Sequence, residues 1–135
     1  EQLRQPFLIE QVSEYPVTVF VDGFRRPRHW QVGAVGFAES VDIIEKASSQ
    51  DYQHLVLVSH NFEMLVPGKS RVDKIVVRRF EKLCAWLGER SEIYPTTGFQ
   101  RIENSNANVP VIALDLWPSS MRMASQLTRR LLAGF

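Results

Sequence analysis

Four consecutive apolar residues, Leu55-Val56-Leu57-Val58, followed at once by Ser59-His60-Asn61, constrain this chain more than any other stretch. The run is too short for a helix and rich in branched side chains, so it reads as a strand buried on both faces, the kind found in parallel sheets. Its abrupt end places an imidazole, His60, where a buried strand emerges. Open α/β sheets and barrels gather ligands at the carboxyl ends of their strands. A histidine that merely satisfies a loop carbonyl is the alternative reading, and pattern alone leaves both open.

The flanking segments supply the rest of an α/β pattern. Pro16 leads Val17–Val21, a branched and aromatic strand with its proline at the entry, where a missing N–H is tolerated. Asp22-Gly23 closes it, so Asp22 leaves its strand much as His60 leaves the later one. An aspartate that only stabilises a turn before glycine is the alternative. Phe24–Val35 reads as a loop carrying Arg25, Arg26, Arg28, His29 and Trp30. Three arginines beside an indole suit phosphate or a stacked ring, but no nucleic-acid motif accompanies them and a solvated loop explains them as well.

Phe37–Ser49 has helical spacing, with Phe37, Val41, Ile44 and Ala47 on one face. A second helix is expected to start at a capping box formed by Ser70 and Asp73 and to run to about Glu89. Val72, Val76, Phe80, Leu83, Cys84 and Leu87 would form its apolar face, and Arg78 and Arg79 would lie in solvent. Residues Pro6–Glu14 suggest an irregular strand, and Ile93–Phe99 another. Gln100–Asn108 is polar and rich in asparagine. Val109–Leu114 reads as a strand pushed to an edge by Pro110. A last helix, 119–132, presents Met121, Ala124, Leu127 and Leu131 on one side and Arg122, Arg129 and Arg130 on the other.

Strands alternating with amphipathic helices predict an α/β sheet with mostly parallel pairing. Asp22 and His60 would then share one rim. The 135 residues carry 16 basic and 15 acidic side chains, a net charge of +1, so bulk electrostatics point neither to nucleic acid nor to an anionic membrane. No apolar stretch approaches the length of a membrane span. Cys84, the lone cysteine, reads as a packing thiol and rules out an intrachain disulfide. The chain begins Glu1-Gln2-Leu3-Arg4, a start read as that of a fragment or a processed chain, with further polypeptide expected upstream.

Three segments taken together, YPVTVFVDG (Tyr15–Gly23), RHWQVGAVGFAES (Arg28–Ser40) and HLVLVSHNFEML (His54–Leu65) followed by DKIVVRRFEKLCAWL (Asp73–Leu87), resemble the polysaccharide deacetylase family, also called the NodB-homology domain. The resemblance covers most of the chain from Tyr15 to about Phe99. It implies a partial (β/α) barrel of mostly parallel strands with flanking helices, residues 1–135 forming a single, incomplete domain. It also implies removal of acetyl groups from a poly- or oligosaccharide. In that family a divalent metal, often zinc, activates water, and a late histidine at a strand end acts as general acid. His60 in VLVSH matches that histidine. Leu57 and Val58 would wall the acetyl methyl, with Asp22 and Trp30 as further substrate contacts. The family's early aspartate pair, its metal histidines and its arginine motif have no counterpart here, since His29 and His54 lack the spacing. Either the metal belongs to an upstream segment, with none bound by these residues, or the chain is of a lineage that has lost it. His60 and Glu63 alone are too few ligands for a metal site. A non-catalytic carbohydrate-binding module, with Trp30, Tyr94 and Trp117 as stacking surfaces, is the alternative function.

Overall fold

A computed structural model describes residues 4–99 and 109–133, with side chains of the last helix described through Leu131. The asparagine-rich stretch 100–108 lies outside these residues. In chain order the elements are β1 (Phe7–Ile9), β2 (Val12–Glu14), β3 (Val19–Val21), β4 (Pro27–His29), α1 (Phe37–Ser48), α2 (Lys74–Gly88), β5 (Ile112–Ala113) and α3 (Leu116–Ala133). A single turn of 3₁₀ helix occupies Asn61–Met64.

β1 and β2 form an antiparallel hairpin where one irregular strand was expected. β3 is the centre of a three-stranded sheet of order β4-β3-β5. It pairs antiparallel with β4, Val19 opposite His29, and parallel with β5, Phe20 opposite Ile112. The expected mostly parallel, partial (β/α) barrel is therefore corrected to two short sheets, one antiparallel and one mixed, with no barrel closure among the described residues. The reason is local. Asp22 Oδ1 accepts the backbone N–H groups of Phe24 and Arg26, each at 3.0 Å. Arg25 turns through a positive φ of 61°. The chain doubles back after five residues instead of crossing over through a helix, and part of the expected Phe24–Val35 loop becomes β4.

The apolar run 55–58 is extended but only half-buried, not a doubly covered strand. Val56 O accepts from Thr18 N at 3.1 Å and Val56 N donates to Thr18 Oγ1 at 2.8 Å. Val58 N donates to Trp30 O and Val58 O accepts from Val32 N, a parallel bridge beside Gln31. Because β4 runs antiparallel to β3, Val58 and the residues after it lie toward the Thr18 end of β3. Asp22 leaves the Val21 end. The expected common rim, which required parallel pairing, does not exist.

The core gathers Phe20, Trp30, Val35, Ile43, Ile44, Ala47, Leu83, Ile112 and Leu114 between the three-stranded sheet and the helices. Phe20, Ile43 and Ile112 are fully buried, each contributing about 1.5–3 kcal/mol by removal from water. α1 starts at Gly36, whose N–H donates to Glu39 Oε2 at 3.1 Å. α2 is capped by Asp73 alone, its Oδ1 accepting from Ile75 N and Val76 N; Ser70 is no part of the cap. The buried residues of α2 are Val76, Arg79 and Leu83, so Arg79 lies inward, whereas Val72 and Cys84 are exposed. Ile93–Phe99 forms no strand.

α3 begins earlier than expected and turns its other face inward. Met121, Leu127 and Leu131 are exposed, while Ser119 and Arg122 are buried. Ser119 Oγ accepts from Gly23 N at 2.9 Å. A side chain at Gly23 would stand 2.5 Å from Asp115 O, so only glycine lets the end of β3 approach α3 this closely. Arg122 reaches two carboxylates, Asp22 and Glu39, each at 2.9 Å. No helix among the described residues is long and apolar enough to cross a membrane.

Candidate functional site

His60 is the last extended residue before the 3₁₀ turn, with φ −118° and ψ 142°. Glu63 N donates to His60 O at 3.0 Å, closing that turn. The turn carries the Glu63 side chain back under the imidazole. Glu63 Oε1 lies 2.7 Å from His60 Nδ1 and accepts from Gln31 Nε2 at the same distance. Glu63 Oε2 accepts from Gly33 N at 2.7 Å. The carboxylate is therefore held at three corners by an imidazole, a side-chain amide and a backbone N–H.

The two members of this pair differ in exposure. Glu63's side chain is 7% accessible and His60's is 48%. Burial pushes the Glu63 carboxyl up. Bonds from Gln31, His60 and Gly33 outweigh that penalty and leave its pKa below the ordinary glutamate value. Beside a carboxylate that stays ionised, His60 carries its hydrogen on Nδ1, and Nε2 becomes the atom free to take or give a proton. The Phe62 ring stacks on the imidazole at 4.9 Å and 20°. A hollow of about 590 Å³ adjoins Glu63, with Gln31, Gly33, Phe62, Leu65 and Arg129 also in its walls; His60 does not line it.

The other anticipated site residues lie elsewhere. Asp22 is 2% exposed, its two oxygens taken by Phe24 N, Arg26 N and Arg122. Trp30 is 4% exposed and donates from Nε1 to Ser40 Oγ at 3.1 Å, which makes it a core residue. Leu57 is partly buried against that core. Tyr94 stacks on Trp86 at 5.3 Å, while Trp117 is 72% exposed. Sequence reasoning overlooked Gln31 and Gly33, which carry no local signal, since both reach Glu63 only through the fold. The His60–Glu63 spacing was visible but was weighed only as a metal pair.

No group of three His, Cys, Asp or Glu side chains converges among the described residues.

Gly33 allows one direct perturbation of this arrangement. A Cβ there would stand 2.7 Å from Glu63 Oε2 and 3.2 Å from Glu63 Cβ. Gly33→Ala is expected to displace the carboxylate, break its bond to the residue-33 N–H and cost about 1–3 kcal/mol. Chemical denaturation gives the stability change, and ¹⁵N chemical shifts of the His60 ring report the lost Nδ1 partner. Unchanged ring shifts would mean that the carboxylate does not set the tautomer.

No protein-family model, curated protein or solved structure matches this chain.

Proposed function

We propose that this chain supplies the proton-transfer histidine of a carbohydrate deacetylase, with His60 as general acid. The observation that carries the reading is the buried Glu63 carboxylate, fixed by Gln31 and Gly33 against the inner nitrogen of a half-exposed imidazole. Acyl transfer from a sugar amine or hydroxyl leaves behind a poor leaving group. Water forms the new C–O bond to the acyl carbon and gives up a proton to a base outside the described residues. As the C–N or C–O bond to the sugar breaks, its electron pair goes to nitrogen or oxygen, and that atom must receive a proton at the same time. His60 Nε2–H delivers it, the imidazolium becomes neutral, and Glu63 holds the ring in place throughout. Glu63 touches no reacting atom, so it is a positioning residue. The substrate class, an acetylated poly- or oligosaccharide, is taken from the resemblance of the three segments Tyr15–Gly23, Arg28–Ser40 and His54–Leu65 with Asp73–Leu87, taken together, to the deacetylase family. In this reading the divalent metal of that family is held by residues other than those described.

The test is acetate release from acetylated oligosaccharides by the full-length protein, with His60→Ala assayed beside the wild type. Loss of turnover with retained fold and saccharide binding supports the assignment. Turnover that survives in the variant removes His60 from the chemistry, and saccharide binding without any wild-type turnover makes the domain a carbohydrate-binding module.

A further inference from the structure

α3 meets the rest of the chain with its polar face. Among its described side chains, those buried or half-buried are Pro118, Ser119, Arg122, Ser125, Gln126 and Arg129. All but the proline are tied down. Ser119 bonds Gly23, Arg122 bonds Asp22 and Glu39, Ser125 bonds Arg79, Gln126 bonds Ala34 and Arg129 bonds Asp73. Rolling the helix about its axis would break buried ion pairs, which is strongly unfavourable, so the opposite face is fixed in solvent.

That opposite face is apolar. Trp117, Leu127 and Leu131 are 72%, 59% and 77% exposed, and Leu116, Met121 and Met123 are exposed beside them. Single exposed apolar residues need no explanation, but a continuous stripe over about four helical turns does. Trp117, Ser120, Ala124, Leu127 and Leu131 follow one another at intervals of three and four, the spacing of a seam that packs on another helix. Ser120 and Ala124 at its middle are small and let a second backbone come close. The six large side chains together approach the roughly 800 Å² that each partner buries in a standard specific interface. Of the three charged residues of α3, Arg122 and Arg129 face inward and Arg130 alone lies on the exposed side.

We propose that this face binds a second copy of the chain, two α3 helices packing antiparallel about a two-fold axis beside Ala124. A two-fold contact needs a self-complementary surface, and this stripe is one. Its small residues meet at the axis, and Trp117 of each copy lies toward Leu127 and Leu131 of the other. Charge selects the direction. Parallel helices would set the two Arg130 side chains together. Antiparallel ones hold them roughly 18 Å apart, well beyond the screening length of about 8 Å at physiological salt. Each Arg130 then comes beside the Trp117 indole of the other copy, where a cation–π contact is favourable. A lipid surface suits the helix less well, because membrane-surface helices draw on exposed basic side chains and this one offers only Arg130. The proposal does not rest on the role given to His60.

Sedimentation equilibrium of the protein tests it. The expected result is a reversible dimer with a Kd in the micromolar range or tighter. Leu127→Glu replaces an exposed side chain, so the fold is retained, and the Kd should rise at least about tenfold. Direction is read by crosslinking in a Cys84→Ser background. Ala124→Cys should form an interchain disulfide, whereas Leu131→Cys should not, its two copies being roughly 20 Å apart. A protein that stays monomeric at about 200 µM overturns the proposal, and binding of that monomer to phosphatidylcholine vesicles would give the face to a lipid surface instead. A dimer unaffected by Leu127→Glu, or one that crosslinks equally at both positions, overturns it as well.

Discussion

Arg122→Met is expected to lower the unfolding free energy by about 3–5 kcal/mol, a large share of the roughly 5–15 kcal/mol that holds a domain of ordinary stability together. The guanidinium spans two carboxylates that are almost completely out of water. Arg122, Asp22 and Glu39 have side-chain accessibilities of 5%, 1% and 0%. Its Nη2 bonds Asp22 Oδ2 and its Nε bonds Glu39 Oε1, both at 2.9 Å. Methionine fills a comparable volume and removes the charge, which leaves two buried anions facing each other. The penalty comes from that uncompensated pair rather than from lost attraction, and this gives a second expectation. Adding Asp22→Asn and Glu39→Gln to Arg122→Met should restore part of the loss, because neutral amides no longer repel. Urea denaturation of the wild type, the single variant and the triple variant measures both effects. A loss under about 1 kcal/mol for Arg122→Met would place the arginine in solvent, where ion pairs contribute that little.

That expectation could not have come from the sequence. Arg122 sits on what reads as the basic, solvated side of α3, opposite Met121, Leu127 and Leu131. The fold inverts the helix, since Asp22 and Glu39, 100 and 83 residues away, both need a cation. Helical periodicity locates an amphipathic element and gives its length, and it did so for α1, α2 and α3 to within a few residues. It does not say which face is inward when buried charges are paired by distant partners. The same limit explains Arg79, expected in solvent and found buried. The apolar run 55–58 misled for a different reason. Its composition is that of a doubly covered strand, but its neighbours are set by the tight Asp22–Arg26 turn, which makes β4 antiparallel and leaves the run bonded to Thr18, Trp30 and Val32. What remained legible at the site was local: His60 and Glu63 lie three residues apart on one turn. Gln31 and Gly33, thirty residues upstream, complete it through tertiary contact alone.

If His60 is the general acid proposed above, removing either member of the His60–Glu63 pair is expected to lower turnover of acetylated saccharides steeply, and removing both should cost little more than removing His60. Loss of a positioned general acid lowers rates by about 10²–10⁴-fold, the range expected for His60→Ala. Glu63→Gln keeps the shape but replaces a carboxylate with an amide that can donate to Nδ1. The ring is then free to adopt the opposite tautomer, and turnover should fall roughly 10²-fold or more. Because Glu63 acts only through the imidazole, the double variant should match His60→Ala; groups that work as a unit do not add. A double variant much slower than His60→Ala would instead give Glu63 a separate role. The pH dependence of stability distinguishes positioning from mere packing. Glu63 has a folded pKa below its unfolded value. Its contribution is therefore complete above the ordinary glutamate range and is lost as pH falls through the lower folded value. Wild-type protein should lose stability across that acidic window and Glu63→Gln should not, so the two unfolding curves converge as the pH drops. If they instead stay parallel, the carboxylate is not ionised against His60, and the imidazole has lost the partner on which its acid role depends.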